Sequence, residues 1–264
     1  MSSLAAAADR LLSLHHGERP LILPNAWDVA SAQAVERAGA AAIATTSSGV
    51  AEALGYPDGE AIPPAEMFAA VGRIAAAVSV PVTADLEAGY GLPAGELMTR
   101  LLGAGAVGLN LEDTDRGHDS PRLTDMGTAA RRITAVRAAA DDAGVSVVIN
   151  ARVDTFLRGP GGLSEQLDDA LTRGRAYLAA GADCVYPIGL TYADAITRLV
   201  RELAAPVNVL LRPSSPDVEQ LAALGVRRIS VGGGLARHAL AHAEALARQL
   251  LAGDGSPFLQ LGES

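Results

Sequence analysis

Val80-Pro81-Val82-Thr83-Ala84-Asp85-Leu86-Glu87 is the stretch on which the fold turns. It is a short apolar run that ends in two acids and gives way to Ala88-Gly89-Tyr90-Gly91. A continuous apolar run of strand length is buried on both faces, as a parallel sheet covered by helices requires. Working outward, similar runs occur at Leu21 to Trp27, Ala41 to Ser47, Val107 to Thr114, Ser146 to Asp154, Cys184 to Ile188, Val207 to Leu211 and Arg228 to Val231. Helical periodicity fills the intervals, over Val29 to Ala38, Pro64 to Ala77, Ala94 to Leu102, Met126 to Ala143, Leu163 to Ala180, Tyr192 to Leu203, Pro216 to Leu224 and Leu235 to Leu251. Gly39, Gly105, Gly144, Gly181 and Gly225 follow helices, where a left-handed C-terminal cap favours glycine. Strand and helix alternate throughout, and right-handed crossovers close the strands into an α/β fold, a (β/α)8 TIM barrel. An extra N-terminal helix, Leu4 to His15, is expected to cover the barrel bottom. A doubly wound open sheet is the alternative.

A barrel of this kind uses about 250 residues, so the 264 residues read as one domain, 1–264. The composition is 49% hydrophobic and poor in aromatics, which predicts a core of small aliphatic side chains. A formal net charge of −9 without a basic run argues against nucleic acid and against an anionic membrane surface. No apolar stretch approaches the roughly 20 residues of a membrane-spanning helix. With one cysteine, Cys184, and no leader-like N-terminus, the expected location is the cytoplasm.

Active sites of this fold gather at the C-terminal ends of the strands, and those ends are acidic here. Alternation along the third strand aims Asp85 and Glu87 at the same space, and the fourth strand adds Glu112 from Asn110-Leu111-Glu112-Asp113. Three close carboxylates need a cation or shared protons. An oxygen-only set without Cys or His favours Mg2+, with Mn2+ as a substitute; the plainer reading pairs the acids with loop backbone or a buried arginine. The fifth strand ends Asn150-Ala151-Arg152-Val153-Asp154, and Arg152 is suited to clamping a carboxylate or phosphonate, or to pairing with Asp154 or Glu112. Asn25 and Trp27 close the first strand, and Ser48 and Gly49 follow the second, where hydroxyl and backbone N–H groups can hold a substrate carboxylate. Asp58 sits in Pro57-Asp58-Gly59, which by itself is a turn signal.

Taken together, Pro24-Asn25-Ala26-Trp27-Asp28, Thr46-Ser47-Ser48-Gly49-Val50, Gly55-Tyr56-Pro57-Asp58, the stretch from Thr83 to Gly91, Gly108 to Asp113 and Asn150-Ala151-Arg152 resemble the isocitrate lyase / phosphoenolpyruvate mutase superfamily. The resemblance implies that Asp85 binds Mg2+ directly, that Glu87 and Glu112 hold it through water, and that Trp27, Ser48, Gly49 and Arg152 bind a 2-oxo acid. It promotes Asp58 from turn residue to active-site residue. It also implies metal-stabilised enolate chemistry on a small carboxylate and a homo-oligomer, dimer or tetramer, whose C-terminal helices pack across subunits.

The departures fall in the loop after the fourth strand. Isocitrate and methylisocitrate lyases resemble one another in a Lys-Lys/Arg-Cys-Gly-His loop, whereas this chain reads Asp115-Arg116-Gly117-His118-Asp119-Ser120-Pro121-Arg122. Cys184 begins the sixth strand and reads as a core thiol. His118 can replace the missing acid if the loop closes on Gly117 and Gly127. The expected activity is a Mg2+-dependent lyase breaking a C–C bond of a 2-oxo or 2-hydroxy acid, oxaloacetate decarboxylase-like or 2-methylisocitrate lyase-like. The alternatives are P–C chemistry on phosphonopyruvate, by mutase or hydrolase, and a non-catalytic barrel that binds a dicarboxylate.

Overall fold

A computed structural model describes residues 3–117 and 120–259. Six strands lie side by side in chain order, each parallel to the next: Asn25–Ala26, Ile43–Thr45, Val82–Asp85, Gly108–Glu112, Val148–Val153 and Cys184–Pro187. Leu21–Leu23, Arg228–Ser230 and Asn208–Leu210 form a second parallel group, joined to Cys184–Pro187 by a bridge between Val185 and Val207. Because Leu21–Leu23 runs straight into Asn25–Ala26, the two groups close one ring, the expected (β/α)8 barrel.

The first strand is split where the sequence predicts a single run. Pro24 has no N–H to give a neighbour. Residues before it pair with the eighth strand, and residues after it pair with the second. The helices form because their apolar residues recur on one stripe: Ala193–Leu203, for example, buries Ala195, Ile196, Leu199 and Leu203. Asp28 opens Val29–Arg37 with a capping box to Ser31. Three short helices were not visible in the periodicity, Ser47–Ala53, Thr155–Arg158 and Ser256–Leu259, nor was the small hairpin of Thr114–Asp115 with Arg122–Leu123. The outlier among the helices is Gly234–Leu251, 18 residues of which only Ala236 is buried.

The N-terminal helix Ser3–Leu14 plugs the barrel bottom through Ala8 and Leu11. Leu11 comes so close to the fourth strand that a Cβ on Gly108 would lie 2.7 Å from its Cδ2, so glycine is needed there. Above it a polar column runs up the barrel axis. His15 faces the fully buried Arg228, and Arg228 Nη2 and Asn150 Nδ2 both donate to Asn110 Oδ1, at 3.1 and 2.8 Å. Strand register sets the layers: Asp85, Asn110 and Asn150 are partners, and Glu112, Arg152 and Tyr186 form the layer above them, at the mouth.

Candidate active site

A cavity of about 350 Å3 opens at the C-terminal ends of the strands, and its walls include Asp58, Asp85, Glu87, Asn110, Arg152 and Tyr186. Asp85 ends the third strand. Its Oδ2 accepts from the Ser47 backbone N–H at 3.0 Å and from the Ser47 hydroxyl at 2.8 Å, while Oδ1 receives a long bond of 3.3 Å from Asn110. The short helix beginning at Ser47 thus fixes one oxygen of Asp85 and leaves the other weakly held.

Glu87 reaches the mouth by a route that the two-residue alternation did not foresee. The strand stops at Asp85, and Glu87 lies in the left-handed region, φ 50°, as do Glu60 (62°) and Tyr90 (58°). Non-glycine residues adopt that region at a cost, and they keep it where the surroundings over-determine it. Here they tie one another: Glu60 N–H donates to Glu87 Oε1 at 3.0 Å, Tyr90 N–H to Glu60 Oε1 at 2.6 Å, and the Tyr90 hydroxyl to Glu87 Oε1 at 3.2 Å. This knot pins the Asp58 loop to the end of the third strand.

Arg116 and Arg152 neutralise the acids from opposite sides. Arg116 Nη2 stands 2.6 Å from Glu112 Oε1 and 3.0 Å from Glu87 Oε2. Arg152 Nη1 stands 2.5 Å from Glu112 Oε2, while its Nε and Nη2 grip the carboxylate of Asp154 at 2.7 and 2.9 Å. No N–H is aligned on Glu87 Oε2 or Glu112 Oε2, so these buried oxygens have charge partners but no hydrogen bond. Burial, with Asp85 beside it, pushes Glu87 up to about 7 against the pull of Arg116. Burial likewise pushes Glu112 up to about 8, opposed by Arg152 and Arg116 and reinforced by Asp154. Burial works against the charge on Arg152, but Glu112 and Asp154 outweigh it and hold the guanidinium above its ordinary value. Asp113, the next residue after Glu112, accepts from Asp154 N–H at 2.8 Å, from the Tyr177 hydroxyl at 2.7 Å and from Arg173 at 3.1 Å, which locks the ends of the fourth and fifth strands together.

Of the residues singled out in the sequence, Asp58, Ser48, Asn25, Asp85, Glu87 and Arg152 line the cavity. Glu112 lies against its wall behind Arg116 and Arg152. Asn25 spends its groups on structure: Nδ2 donates to Thr45 O at 2.8 Å, and Oδ1 accepts from Val231 and Gly232 N–H at 2.9 and 2.8 Å. Asn150 sits one layer too deep and bonds Asn110. Trp27 and Gly49 pack on each other behind Ser48, where a Cβ on Gly49 would lie 2.9 Å from that of Trp27. His118 lies outside the described residues. Cys184 is fully buried away from the cavity, and burial pushes its thiol up to about 12.

Sequence reading missed Tyr186, Arg158 and Arg237, which line the cavity together with Ser47. Tyr186 was within reach of it, since it occupies the strand position level with Arg152. Arg237, itself exposed on a largely exposed helix, carries no such signal. Among the described residues no three His, Cys, Asp or Glu side chains converge as a finished metal cage. The donor set is nevertheless all oxygen, and two of its oxygens lack hydrogen bonds, which fits a hard cation held largely through water.

The chain has relatives among known proteins. The profile of the phosphoenolpyruvate phosphomutase family matches residues 11–251. An uncharacterized protein of Mycobacterium tuberculosis is 34% identical over 221 residues, 83% of this chain and 80% of that protein. Oxaloacetate decarboxylase 2 of Pseudomonas putida is 30% identical over 189 residues, 69% of this chain and 60% of that enzyme. A solved structure of a provisionally assigned phosphonomutase from Burkholderia cenocepacia superposes with a TM-score of 0.88 at 40% identity, covering 94% of this chain and 99% of that one.

Proposed function

The chain belongs to the phosphoenolpyruvate phosphomutase family, within the isocitrate lyase superfamily, and we propose that it is a Mg2+-dependent lyase, a single domain, that breaks a C–C bond of a small 2-oxo or 2-hydroxy carboxylate. The observation that carries this reading is the pair of buried oxygens, Glu87 Oε2 and Glu112 Oε2, without hydrogen bonds beside Asp85. In this reading Asp85 is the direct ligand, Glu87 and Glu112 act through water, and Mn2+ can take the place of Mg2+. When bound, the ion supplies Lewis acidity toward the carbonyl oxygen of the substrate.

The chain's own residues do the rest. Ser47 holds Asp85 in one orientation, and Ser48 presents its hydroxyl to the cavity. Arg152, braced by Asp154, faces the negative charge that builds as the bond breaks and the 2-oxo acid becomes an enolate. Asp58 overlooks the same space from its loop. The exposed helix Gly234–Leu251 and the apolar groove beside it, walled by Leu210, Leu211, Pro213 and Leu235, support a homo-oligomer.

P–C chemistry on phosphonopyruvate is the second reading, supported by the 40% identical phosphonomutase-like structure and by Arg116 and Arg158 facing the cavity. One experiment separates the two: formation of pyruvate or phosphoenolpyruvate from oxaloacetate, 2-methylisocitrate and phosphonopyruvate with Mg2+, in wild type and Asp85→Ala. Turnover of oxaloacetate or 2-methylisocitrate, lost in Asp85→Ala, is expected. Turnover of phosphonopyruvate alone selects the second reading, and no turnover of any of them leaves only a non-catalytic binder.

A further inference from the structure

A second cavity, of about 80 Å3, lies between the end of the fourth strand and the helices Met126–Asp142 and Leu163–Ala179. One water needs roughly 10–15 Å3 of such space, so the cavity has room for a larger guest. Strand alternation puts it on the outer side of the barrel wall: Asn110 and Glu112 face the mouth, whereas Leu111 and Asp113 face the helices. Most polar groups of its wall are engaged with protein. Glu112 turns its carboxylate to Arg116 and Arg152, and Asp113 takes Arg173, the Tyr177 hydroxyl and Asp154 N–H. The Thr114 hydroxyl donates to Asp154, and that of Thr128 to Asp125.

The exception is Arg132. Its guanidinium has no hydrogen bond and no ion pair among the described residues, and its Nη2 is buried without a partner. Burial works against its charge, and Glu60, the carboxylate that opposes this, does not reach it as an ion pair. Nη2 lies on the turn that follows Glu87: Gly89 has φ 85°, and a Cβ there would collide with it. Thr124 on the same wall has a hydroxyl with no partner among the described residues. The cavity therefore offers donors and a positive charge and has no acceptor of its own to match them, an arrangement that is costly until a counter-charge arrives.

We propose that this cavity is a binding site for a small monovalent inorganic anion, of the size of chloride or bromide, held by Arg132. One unpaired cation supports one negative charge, and a divalent anion would leave net negative charge beside Glu112 and Asp113. The site is separate from the mouth and does not depend on which substrate the mouth takes. Because Arg132 rests on the turn after Glu87, an anion bound there braces that turn from behind.

Bromide is the probe, because it is close to chloride in size and scatters anomalously. Wild-type crystals soaked in sodium bromide should show an anomalous peak in the cavity, in contact with Arg132 Nη2. In solution, bromide is raised against gluconate at constant ionic strength, which removes general screening from the comparison. The Tm of the wild type should then rise saturably, by about 3–6 °C at ten times Kd, and Arg132→Gln should lose the shift. The soaked wild-type crystal decides the question by itself should Arg132→Gln not fold. Water alone in the cavity, bromide confined to the outer surface, a wild-type Tm that does not respond to bromide, or a shift that Arg132→Gln retains would each overturn the site.

Discussion

Replacing His15 with glutamine should remove a defined part of the protein's acid sensitivity. His15 is fully buried at the barrel floor, where its Nδ1–H donates to Leu11 O at 2.8 Å and its Nε2 stands 3.4 Å from Arg228 Nη1. A proton on Nε2 would face a buried guanidinium, so burial first and Arg228 second lower the imidazole from 6.5 to about 4. A folded value below the unfolded one means that the unfolded chain binds the proton first. Stability is therefore intact above about pH 6.5 and falls as the pH drops toward 4. At pH 5 the two values give a loss of about 2 kcal/mol relative to neutral pH, or roughly 4–8 °C in Tm for a chain of this size. Urea unfolding of wild type and His15→Gln at pH 7.5 and pH 5 isolates the effect, because the other titrating groups are common to both. Wild type should lose about 2 kcal/mol more than the variant across that interval. Parallel losses would show that His15 accepts its proton in the folded state and that Arg228 does not oppose it.

Two other predictions concern the mouth and the outer surface. Arg116 competes with any cation for the oxygens of Glu87 and Glu112, so Arg116→Met should tighten Mn2+ binding by about tenfold to a hundredfold, the scale of a charge-assisted contact. Calorimetric titration reads it, and unchanged or weaker binding would make Arg116 a brace for the acids rather than a rival of the ion. Light scattering should find a dimer or tetramer, and Leu240→Glu, at an exposed position of Gly234–Leu251, should shift it toward a monomer that is still folded by circular dichroism; a monomeric wild type contradicts the oligomer.

The barrel was legible because its signals are local and repeated. Apolar runs gave every strand of the barrel, and helical periodicity gave every long helix. The five expected capping glycines all have left-handed φ, between 67° and 104°. Short elements escaped for a physical reason. Ser47–Ala53 and Thr155–Arg158 are too short to display a stripe, and they exist because strand ends at the mouth turn directly into them. Pro24 was visible in the sequence, but that it hands one strand from the eighth neighbour to the second follows from ring closure, which no local pattern encodes.

The site was legible in its acids and much less so in its bases. Asp85 and Glu87 were expected at the mouth because strand ends are where this fold keeps its chemistry, and both line the cavity with Glu112 against its wall, although alternation reached Glu87 by the wrong path. What delivers that carboxylate is a left-handed backbone held by Glu60 and Tyr90, a contact between two loops that no spacing rule contains. The arginines divide in the same way. Arg152 lies on a strand, and its alternation aimed it correctly, yet the structure shows both edges of its guanidinium already engaged by Glu112 and Asp154. Arg116 and Arg237 enter from a loop and from a helix, so their place at the mouth depends on tertiary packing alone. An arginine on a strand is thus the one that sequence finds first and that the protein has already spent on bracing its acids. The arginines that sequence misses arrive on elements whose position only the closed barrel determines.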